Sequence, residues 1–244
     1  MSDTDTLTEA LRGAAARFGD APAFVASGGW PLSFAALDRL TDEAAAGLRA
    51  AGVTEGSVVA LLLGSTPDYA TAYLALAKLG AVTAGINPRF TPDEQRRCLD
   101  VVQPDLILAA AEQRDALVVP RAGRPDELLR NLRVEGGAAP PLPGDPDRPV
   151  AIVLTSGTTG RPKGAVFTNR QLAAVVAIDT GGAWGGGGPM LAGTELAHVG
   201  FMTKLPWYLR KGHTIHLLDK WRALDVLRLV ERERMVSVLS LIHI

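Results

Sequence analysis

The spacing of apolar residues in the first half of the chain switches repeatedly between a helical and a strand-like period. After Ser33, leucines and alanines recur every three to four positions as far as Ala50, which predicts an amphipathic helix with Ser33 as its N-cap. Thr91 and Glu94 have the spacing of a capping box, and the proline between them suits the first turn of a helix. Two further helices are predicted over residues 8–18 and 67–79.

Short runs of β-branched and other apolar residues lie between these helices and predict strands. A hairpin is expected across residues 27–29, a last helix over residues 224–235, and single strands over residues 58–63, 106–110, 150–154 and 165–168. Strands that alternate with helices usually pair in parallel and are covered on both faces. The pattern therefore indicates an α/β fold with mainly parallel sheets sandwiched by helices.

Two stretches rich in proline or glycine interrupt the pattern. Residues 121–149 contain six prolines, and we interpret them as a surface connection. For residues 135–148, a linker without regular structure is nearly as good an interpretation. Residues 179–188 are rich in glycine but contain no lysine, which favours a flexible loop over a second anion-binding site.

The composition narrows the possible functions. With 47% hydrophobic residues, the 244-residue chain can form a sizeable core. Its 25 basic and 26 acidic residues almost cancel, which argues against nucleic acid as a partner. Cys98 is the single cysteine, so an internal disulfide is excluded and packing as a small apolar residue is expected. Because we find neither a secretory signal nor an apolar run of ~18 residues, we expect a cytoplasmic location without an integral membrane segment.

Residues 154–164 combine the groups that bind phosphate. Glycines let successive backbone N–H groups point inward, while hydroxyls and Lys163 add donors and a positive charge. In the best-known phosphate-binding loop, a helix begins at the lysine. Here Pro162 and Gly164 on either side of Lys163 disfavour a helix. The sequence therefore predicts a strand–loop–strand arrangement. A plain hairpin turn is the alternative, but it does not need so many hydroxyls beside a lysine.

Three segments together resemble one family. Residues 155–164, Thr-Ser-Gly-Thr-Thr-Gly-Arg-Pro-Lys-Gly, resemble the signature loop of the adenylate-forming (AMP-binding) superfamily, which includes acyl-CoA synthetases, peptide-synthetase adenylation domains and luciferases. Residues 56–99 resemble its early strand–helix–strand stretch, and residues 195–200 (Glu-Leu-Ala-His-Val-Gly) are similar to its substrate-pocket segment. Residues 197–212 look closest to fatty acyl-CoA synthetases. The resemblance implies that this chain is the N-terminal part of the large adenylate-forming domain and that it is truncated before the C-terminal domain.

The resemblance also implies a reaction and a set of site residues. MgATP would activate a carboxylic acid as an acyl-adenylate, and coenzyme A would then displace AMP to give an acyl-CoA. Lys163 and His198 are the implied catalytic residues, and Thr158 the implied contact to Mg²⁺; without the resemblance, His198 would be interpreted as a packed histidine. The residues implied to hold the β- and γ-phosphates of ATP are Thr155, Ser156, Gly157, Thr158, Thr159, Gly160 and Lys163.

One position departs from the pattern, and the chain is shorter than the family's usual length. Asn169 stands where these enzymes usually have a histidine after the threonine, so this position cannot titrate. We expect residues 1–238 to be a partial AMP-binding domain without its C-terminal domain, and to be inactive alone. Residues 239–244 coincide with the translation of a sequencing-adapter end and are expected to be non-native, a natural apolar strand being the alternative.

Several residues and functions remain open at this point. Lys204, Trp207 and Tyr208 could line an acyl channel, but such residues more often simply pack or snorkel on a helix, and they are not included in the predicted site. His213 and His216 are expected to face opposite sides of a strand and not to form a metal pair. A module that binds nucleotide or acyl groups without catalysis, and an adenylation domain that loads a carrier protein, are the alternative functions. The sequence does not indicate an oligomeric state.

Overall fold

The computed structural model describes residues 6–109, 132–155 and 161–235, and the backbone of residues 122–123. Within these ranges the helices are α1 (Leu7–Phe18), α2 (Phe34–Ala50), α3 (Pro67–Lys78), α4 (Pro92–Val102), α5 (Asn169–Thr180), α6 (Val199–Met202), α7 (Leu205–Lys211) and α8 (Ala223–Glu233). The strands are β1 (Pro22–Val25), β2 (Pro31–Ser33), β3 (Val58–Leu62), β4 (Val82–Gly85), β5 (Leu106–Ala109), β6 (Ala122–Gly123), β7 (Pro149–Thr155), β8 (Lys163–Thr168), β9 (Pro189–Leu191) and β10 (Thr214–His216). None of the helices in the described ranges is long and apolar enough to cross a membrane.

The strands form two sheets. The larger sheet has the order β6-β5-β3-β4-β7-β8 and is parallel except for the edge strand β8, which pairs with β7 in antiparallel orientation. The smaller has the order β2-β1-β10-β9, with only the β1–β2 hairpin antiparallel. The predicted α/β class with mainly parallel sheets is therefore confirmed, as is the hairpin. Strands β4, β6 and β9 and helices α5 and α6 are among the elements that the apolar pattern did not predict.

Strand β3, in the middle of the large sheet, is buried on both faces, which explains its continuous apolar run. Val59 and Leu61 point into the main core, together with residues of α1, α2 and α3. Ala60 and Leu62 face the opposite side, where they pack with Cys98 of α4. Cys98 is 3% exposed, so the prediction that it packs as a small apolar residue is confirmed.

A buried lysine joins two of the core helices. The Lys78 side chain of α3 is fully buried, and its Nζ lies 2.6 Å from Asp38 Oδ1 and 2.8 Å from Asp42 Oδ1 of α2. The same ammonium donates a 2.9 Å hydrogen bond to the Asp38 carbonyl oxygen. All three acceptors come from α2, so this cluster fixes the position of α3 against α2.

A second polar cluster forms at the carboxyl ends of β3 and β4. The Glu195 carboxylate accepts a 2.7 Å hydrogen bond from Ser65 Oγ and lies 2.8 Å from Arg89 Nη2. Ser65 follows β3 and Arg89 follows β4, whereas Glu195 precedes α6. The Leu196 N–H also donates to Ser65 Oγ, at 3.2 Å. We call these contacts the Glu195 clasp; they attach the segment before α6 to this edge of the sheet.

The same segment approaches the sheet very closely at Gly85, the last residue of β4. A Cβ atom placed there would lie 2.6 Å from Met202 Sδ and 3.0 Å from the Ala197 Cα, closer than side chains normally approach. The hydroxyl of Tyr73, on α3, donates a 2.9 Å hydrogen bond to the Met202 carbonyl from within the core. Helix α6 is therefore held against the carboxyl edge of the sheet by packing as well as by the clasp.

Replacing Lys78 with methionine should destabilise the protein, because the Asp38 and Asp42 carboxylates would lose their shared cation. These side chains keep 24% and 30% exposure, so we expect the free energy of unfolding to fall by about 1–3 kcal/mol, less than for a fully buried pair. Urea denaturation measures the change. The same substitution at the exposed Lys220 should leave stability within ~0.5 kcal/mol, and equal stability of both variants would contradict the role of Lys78.

Gly85→Ala should also destabilise the protein, because the new methyl group would lie 2.5 Å from the buried Tyr69 hydroxyl, 2.6 Å from Met202 Sδ and 3.0 Å from the Ala197 Cα. We expect a loss of about 1–3 kcal/mol in the free energy of unfolding, measured by urea denaturation. Gly28→Ala is the matched control, because no atom lies within 4 Å of a Cβ placed there. A Gly85→Ala variant as stable as the control would contradict this prediction, because the neighbouring side chains and residues 197–202 would then move aside without loss of stability.

Candidate functional site

The β7–β8 hairpin holds the predicted phosphate loop. Thr155 at the end of β7 is paired with Lys163 at the start of β8, and Thr155 Oγ1 donates a 3.4 Å hydrogen bond to the Lys163 carbonyl. Strands β7 and β8 flank the loop, so the predicted strand–loop–strand arrangement is confirmed. Because β7 runs parallel to β4, the loop emerges at the same edge of the sheet as Gly85 and the Glu195 clasp.

The structure places only part of the predicted phosphate-binding set. Thr155 and Lys163 lie at the two described ends of the loop, and both are exposed. The side chain of an exposed lysine at this position is accessible to a ligand. The remaining predicted residues lie outside the described residues: Ser156, Gly157, Thr158, Thr159 and Gly160.

His198 lies at the same edge of the sheet. It is the N-cap of α6, which packs against β7, the strand that leads into the loop. The Gly200 N–H donates a 3.2 Å hydrogen bond to His198 Nδ1, and this contact assigns the proton of a neutral imidazole to Nε2. The exposed Nε2–H is then the donor that His198 offers to a ligand. The alternative of a packed histidine does not describe this exposed side chain.

A cavity of about 360 Å³ lies beside His198. Its size falls in the range of small-molecule sites, and its walls come from β9, β10, α6 and α7. Lys204 and Tyr208 line this cavity, and Tyr208 also packs there, with its ring stacked on that of Phe201 at a centroid distance of 6.1 Å. Trp207 is not in the wall: its ring packs against Tyr208 and His213, with centroids 5.0 and 4.7 Å apart.

Asn169, the departure noted in the sequence, has a structural role. Its side chain is 5% exposed; Oδ1 accepts a 3.1 Å hydrogen bond from the Leu7 N–H, and Nδ2 donates a 2.9 Å hydrogen bond to the Asp145 carbonyl. These contacts join the starts of α1 and α5 to the segment before β7. The Asn169 amide therefore stabilises the fold through two long-range hydrogen bonds. The spacing of residues in the sequence could not have predicted these contacts.

His213 and His216 have separate surroundings. His213 Nδ1 lies 2.9 Å from the Gly188 carbonyl oxygen, and burial lowers the pKa of this imidazole. His216 is 4% exposed and its Nε2 lies 3.9 Å from a Glu233 carboxylate oxygen on α8. Burial lowers its pKa as well.

Comparison with known proteins identifies the family. The sequence profile described as AMP-binding enzyme matches residues 11–240. 4-Coumarate–CoA ligase 1 of Oryza sativa subsp. japonica is 30% identical over 84% of this chain and 41% of its own length. Protein Y of Streptomyces griseus is 30% identical over 94% of this chain and 82% of its own length. The chain therefore spans less than half the length of the coumarate ligase.

A solved structure supports the fold independently. The N-terminal domain of FACL13 from Mycobacterium tuberculosis superposes with a TM-score of 0.84, at 23% identity, over 96% of this chain and 62% of that one. The same α/β architecture thus occurs in the N-terminal part of an adenylate-forming enzyme. From the profile match, the relatives and the fold together, the chain belongs to the AMP-binding enzyme family, that is, to the adenylate-forming superfamily.

Proposed function

We propose that the full-length protein activates a carboxylic acid with ATP and transfers the acyl group to coenzyme A. A carboxylate oxygen attacks the α-phosphorus, the bond from that phosphorus to the bridging oxygen breaks, and pyrophosphate leaves. The sulfur of coenzyme A then attacks the acyl carbon and AMP leaves. The observation that carries the proposal is the shared sheet edge: the loop hairpin β7–β8 opens there, and His198, which also borders the cavity, lies there as well.

The loop would serve the first step. In-line attack on phosphorus concentrates negative charge on the phosphoryl oxygens, so catalysis depends on positioning and electrostatic stabilisation. Lys163 would neutralise charge on the departing pyrophosphate, while Thr155 and the loop residues 156–160 would donate hydrogen bonds to the β- and γ-phosphates. Thr158 would supply a hydroxyl ligand for the Mg²⁺ that accompanies ATP.

His198 would orient the acid. With Nδ1 occupied by Gly200, the Nε2–H can donate one hydrogen bond to a carboxylate oxygen of the substrate or to the acyl oxygen of the adenylate. The Glu195 clasp and the close contact at Gly85 hold this histidine near the end of β7. Such positioning brings the carboxylate toward the phosphates without a catalytic base.

The acid itself is a narrower part of the proposal. Residues 197–212 favour a fatty acid, whereas the named activity of the rice relative concerns an aromatic acid, and both are carried forward as substrates to be tested. Four further statements remain predictions from the sequence: the domain division at residue 238, the non-native nature of residues 239–244, the inactivity of this chain alone and a cytoplasmic location. Transfer to a carrier protein is the alternative second step.

A binding module without catalysis is the second candidate function. The observation in its favour is Protein Y, of which this chain matches 82%, so a relative of similar length carries the same segment. A module of this kind would bind AMP or an acid but would not exchange pyrophosphate.

The test is acid-dependent ATP–pyrophosphate exchange by the full-length gene product. The panel runs from acetate to palmitate and includes aromatic acids, with coenzyme A added afterwards. Exchange followed by thioester formation supports the proposal and names the acid. Exchange without a thioester favours a carrier protein as acceptor. Binding of AMP without exchange, by a folded protein, overturns the proposal in favour of the binding module.

Lys163→Ala in the full-length protein should slow ATP–pyrophosphate exchange on the order of 100-fold, because a charge beside the departing pyrophosphate is lost. Stability should change by less than ~0.5 kcal/mol, since the side chain is exposed. Lys220→Ala, a lysine outside the hairpin, is the control and should exchange at the normal rate. Normal exchange by Lys163→Ala would remove the loop from the mechanism.

His198→Ala should lower kcat/KM for the acid about 10-fold, as expected for one lost hydrogen bond of ~1.4 kcal/mol, with little change in KM for ATP. Initial rates of adenylate formation at varied acid concentration measure the effect. His198→Gln retains an amide donor and should recover part of the loss. If both variants match the unsubstituted protein, the histidine does not contact the acid.

A further inference from the structure

Helix α8 packs against the small sheet and presents different residues on its two flanks. On one flank lie Asp225, Arg228 and Arg232. They line a cavity of about 220 Å³ together with Ser27 and Gly29 of the turn between β1 and β2. The charged flank of α8 therefore lies on the β1 side of the sheet, where the helix meets the hairpin.

The other flank of α8 is apolar. Val226 and Leu229 face the sheet, where they form a small buried cluster with Leu191 of β9. At about 100° per residue, Leu224 and Leu227 lie on the side of this cluster that is away from the charged flank. Their side chains are 59% and 65% exposed. An apolar strip that widens the buried face of a helix indicates a flank that packs against another segment.

The open edge of the small sheet lies on this side of α8. Strand β9 is the outermost strand there, and no further strand of the described residues pairs with it. The Ala192 N–H donates a 3.0 Å hydrogen bond to the His216 carbonyl of β10. The Thr214 N–H of β10 donates a 3.3 Å hydrogen bond to the Gly188 carbonyl. Because successive residues of a strand turn their backbone groups to opposite sides, Leu191 turns its N–H and C=O toward the open edge.

The connections of the small sheet predict where a strand after α8 would lie. Strand β10 already has a neighbour on each side, β1 and β9. Helices α6 and α7 connect β9 to β10 on the face that packs into the main core, whereas α8 follows β10 on the opposite face. Connections between parallel strands are right-handed in about 98% of cases, so a helix on the opposite face reverses the direction of winding. The next parallel strand is therefore expected on the far side of β9.

The full-length protein has a segment for this position. This chain covers 62% of the N-terminal domain of FACL13, so a domain with this fold contains more residues than are present here. A segment of the same polypeptide meets the edge of β9 at a far higher effective concentration than a second molecule does. The observations therefore favour an occupant from the same chain.

We propose that, in the full-length protein, the segment that follows α8 adds a parallel strand to the open edge of β9 and covers Leu224 and Leu227. The edge of β9 and the apolar flank of α8 then form one interface within the N-terminal domain. The side chains of the added strand that lie beneath α8 are apolar, because they meet Leu191 and Leu227.

The added strand gives the sheet a point where the winding reverses. Strand β10 lies on one side of β9 and the added strand on the other. In open parallel sheets, ligands bind at the carboxyl ends of the strands where such a reversal occurs. The carboxyl end of β9 is Leu191, which lines the cavity beside His198. The interface thus adjoins this cavity, but its packing does not depend on the reaction proposed above.

Hydrogen exchange of the Leu191 amide in the full-length protein tests the strand pairing. We expect exchange about 100-fold slower than that of an unprotected amide, because the N–H donates to the added strand. Mass spectrometry with fragmentation at single residues measures the rate. Exchange at the rate of an unprotected amide, in a protein whose circular dichroism shows that it is folded, overturns the proposal.

Two substitutions at one position test the covered flank. Glutamine and methionine resemble leucine in helix propensity, but glutamine carries an amide that requires hydrogen bonds. Leu227→Gln should lower the urea midpoint of the full-length protein by roughly 0.5–1 M relative to the matched control Leu227→Met. Equal midpoints for the two variants mean that residue 227 remains in water, and they overturn the proposal.

The oligomeric state distinguishes the two possible occupants. Sedimentation velocity and hydrogen exchange are measured on the same samples at several protein concentrations. Protection of the Leu191 amide that persists in the monomer supports the proposal. Protection that is present in a dimer and disappears when the dimer dissociates assigns the edge to a second copy and overturns it. Because ATP–pyrophosphate exchange is assayed separately, protection without exchange rejects only the proposed function.

Discussion

The contact between Gly85 and the segment that carries His198 is the constraint on which the site depends. At this point Ala197 and Met202 lie closer to the β4 backbone than a side chain at position 85 would permit. The Glu195 clasp to Ser65 fixes the same segment from the polar side. Because packing and hydrogen bonding act on one short segment, the histidine has a defined position relative to the end of β7, although α6 itself has only four residues.

Buried polar groups perform a similar task away from the site. Lys78 joins α3 to α2, and Asn169 joins α1 to α5 through the Leu7 N–H. Such groups contribute little net stability compared with apolar packing. An arrangement of the helices that left them buried without partners would cost free energy, so these groups favour one arrangement over others. The substitution of Asn169 for the family's usual histidine therefore changes a position that, in this chain, serves the fold.

The cavity beside His198 combines a mainly apolar wall with a few polar side chains. The imidazole of His198 adds a hydrogen-bond donor at this wall. Lys204 and Tyr208 lie in the wall as well, and Lys204 pairs with Asp179 at the end of α5, 25 residues earlier in the sequence. Selectivity in this arrangement is a local property of a few wall residues, and the fold alone does not predict it.

The sequence by itself determined the α/β class, the boundaries of most early elements and the hairpin that holds the loop, because helix caps, apolar periods and glycine–proline turns act over a few residues. It also indicated the Thr155 and Lys163 ends of the loop and, through the family resemblance, His198. Only the tertiary structure showed that Ser65 meets Glu195, that Asn169 is a structural residue, and that Lys204 and Tyr208 line a cavity. Glu195 and Ser65 are 130 residues apart, and contacts at such separations depend on how strands and helices pack, which no local pattern records.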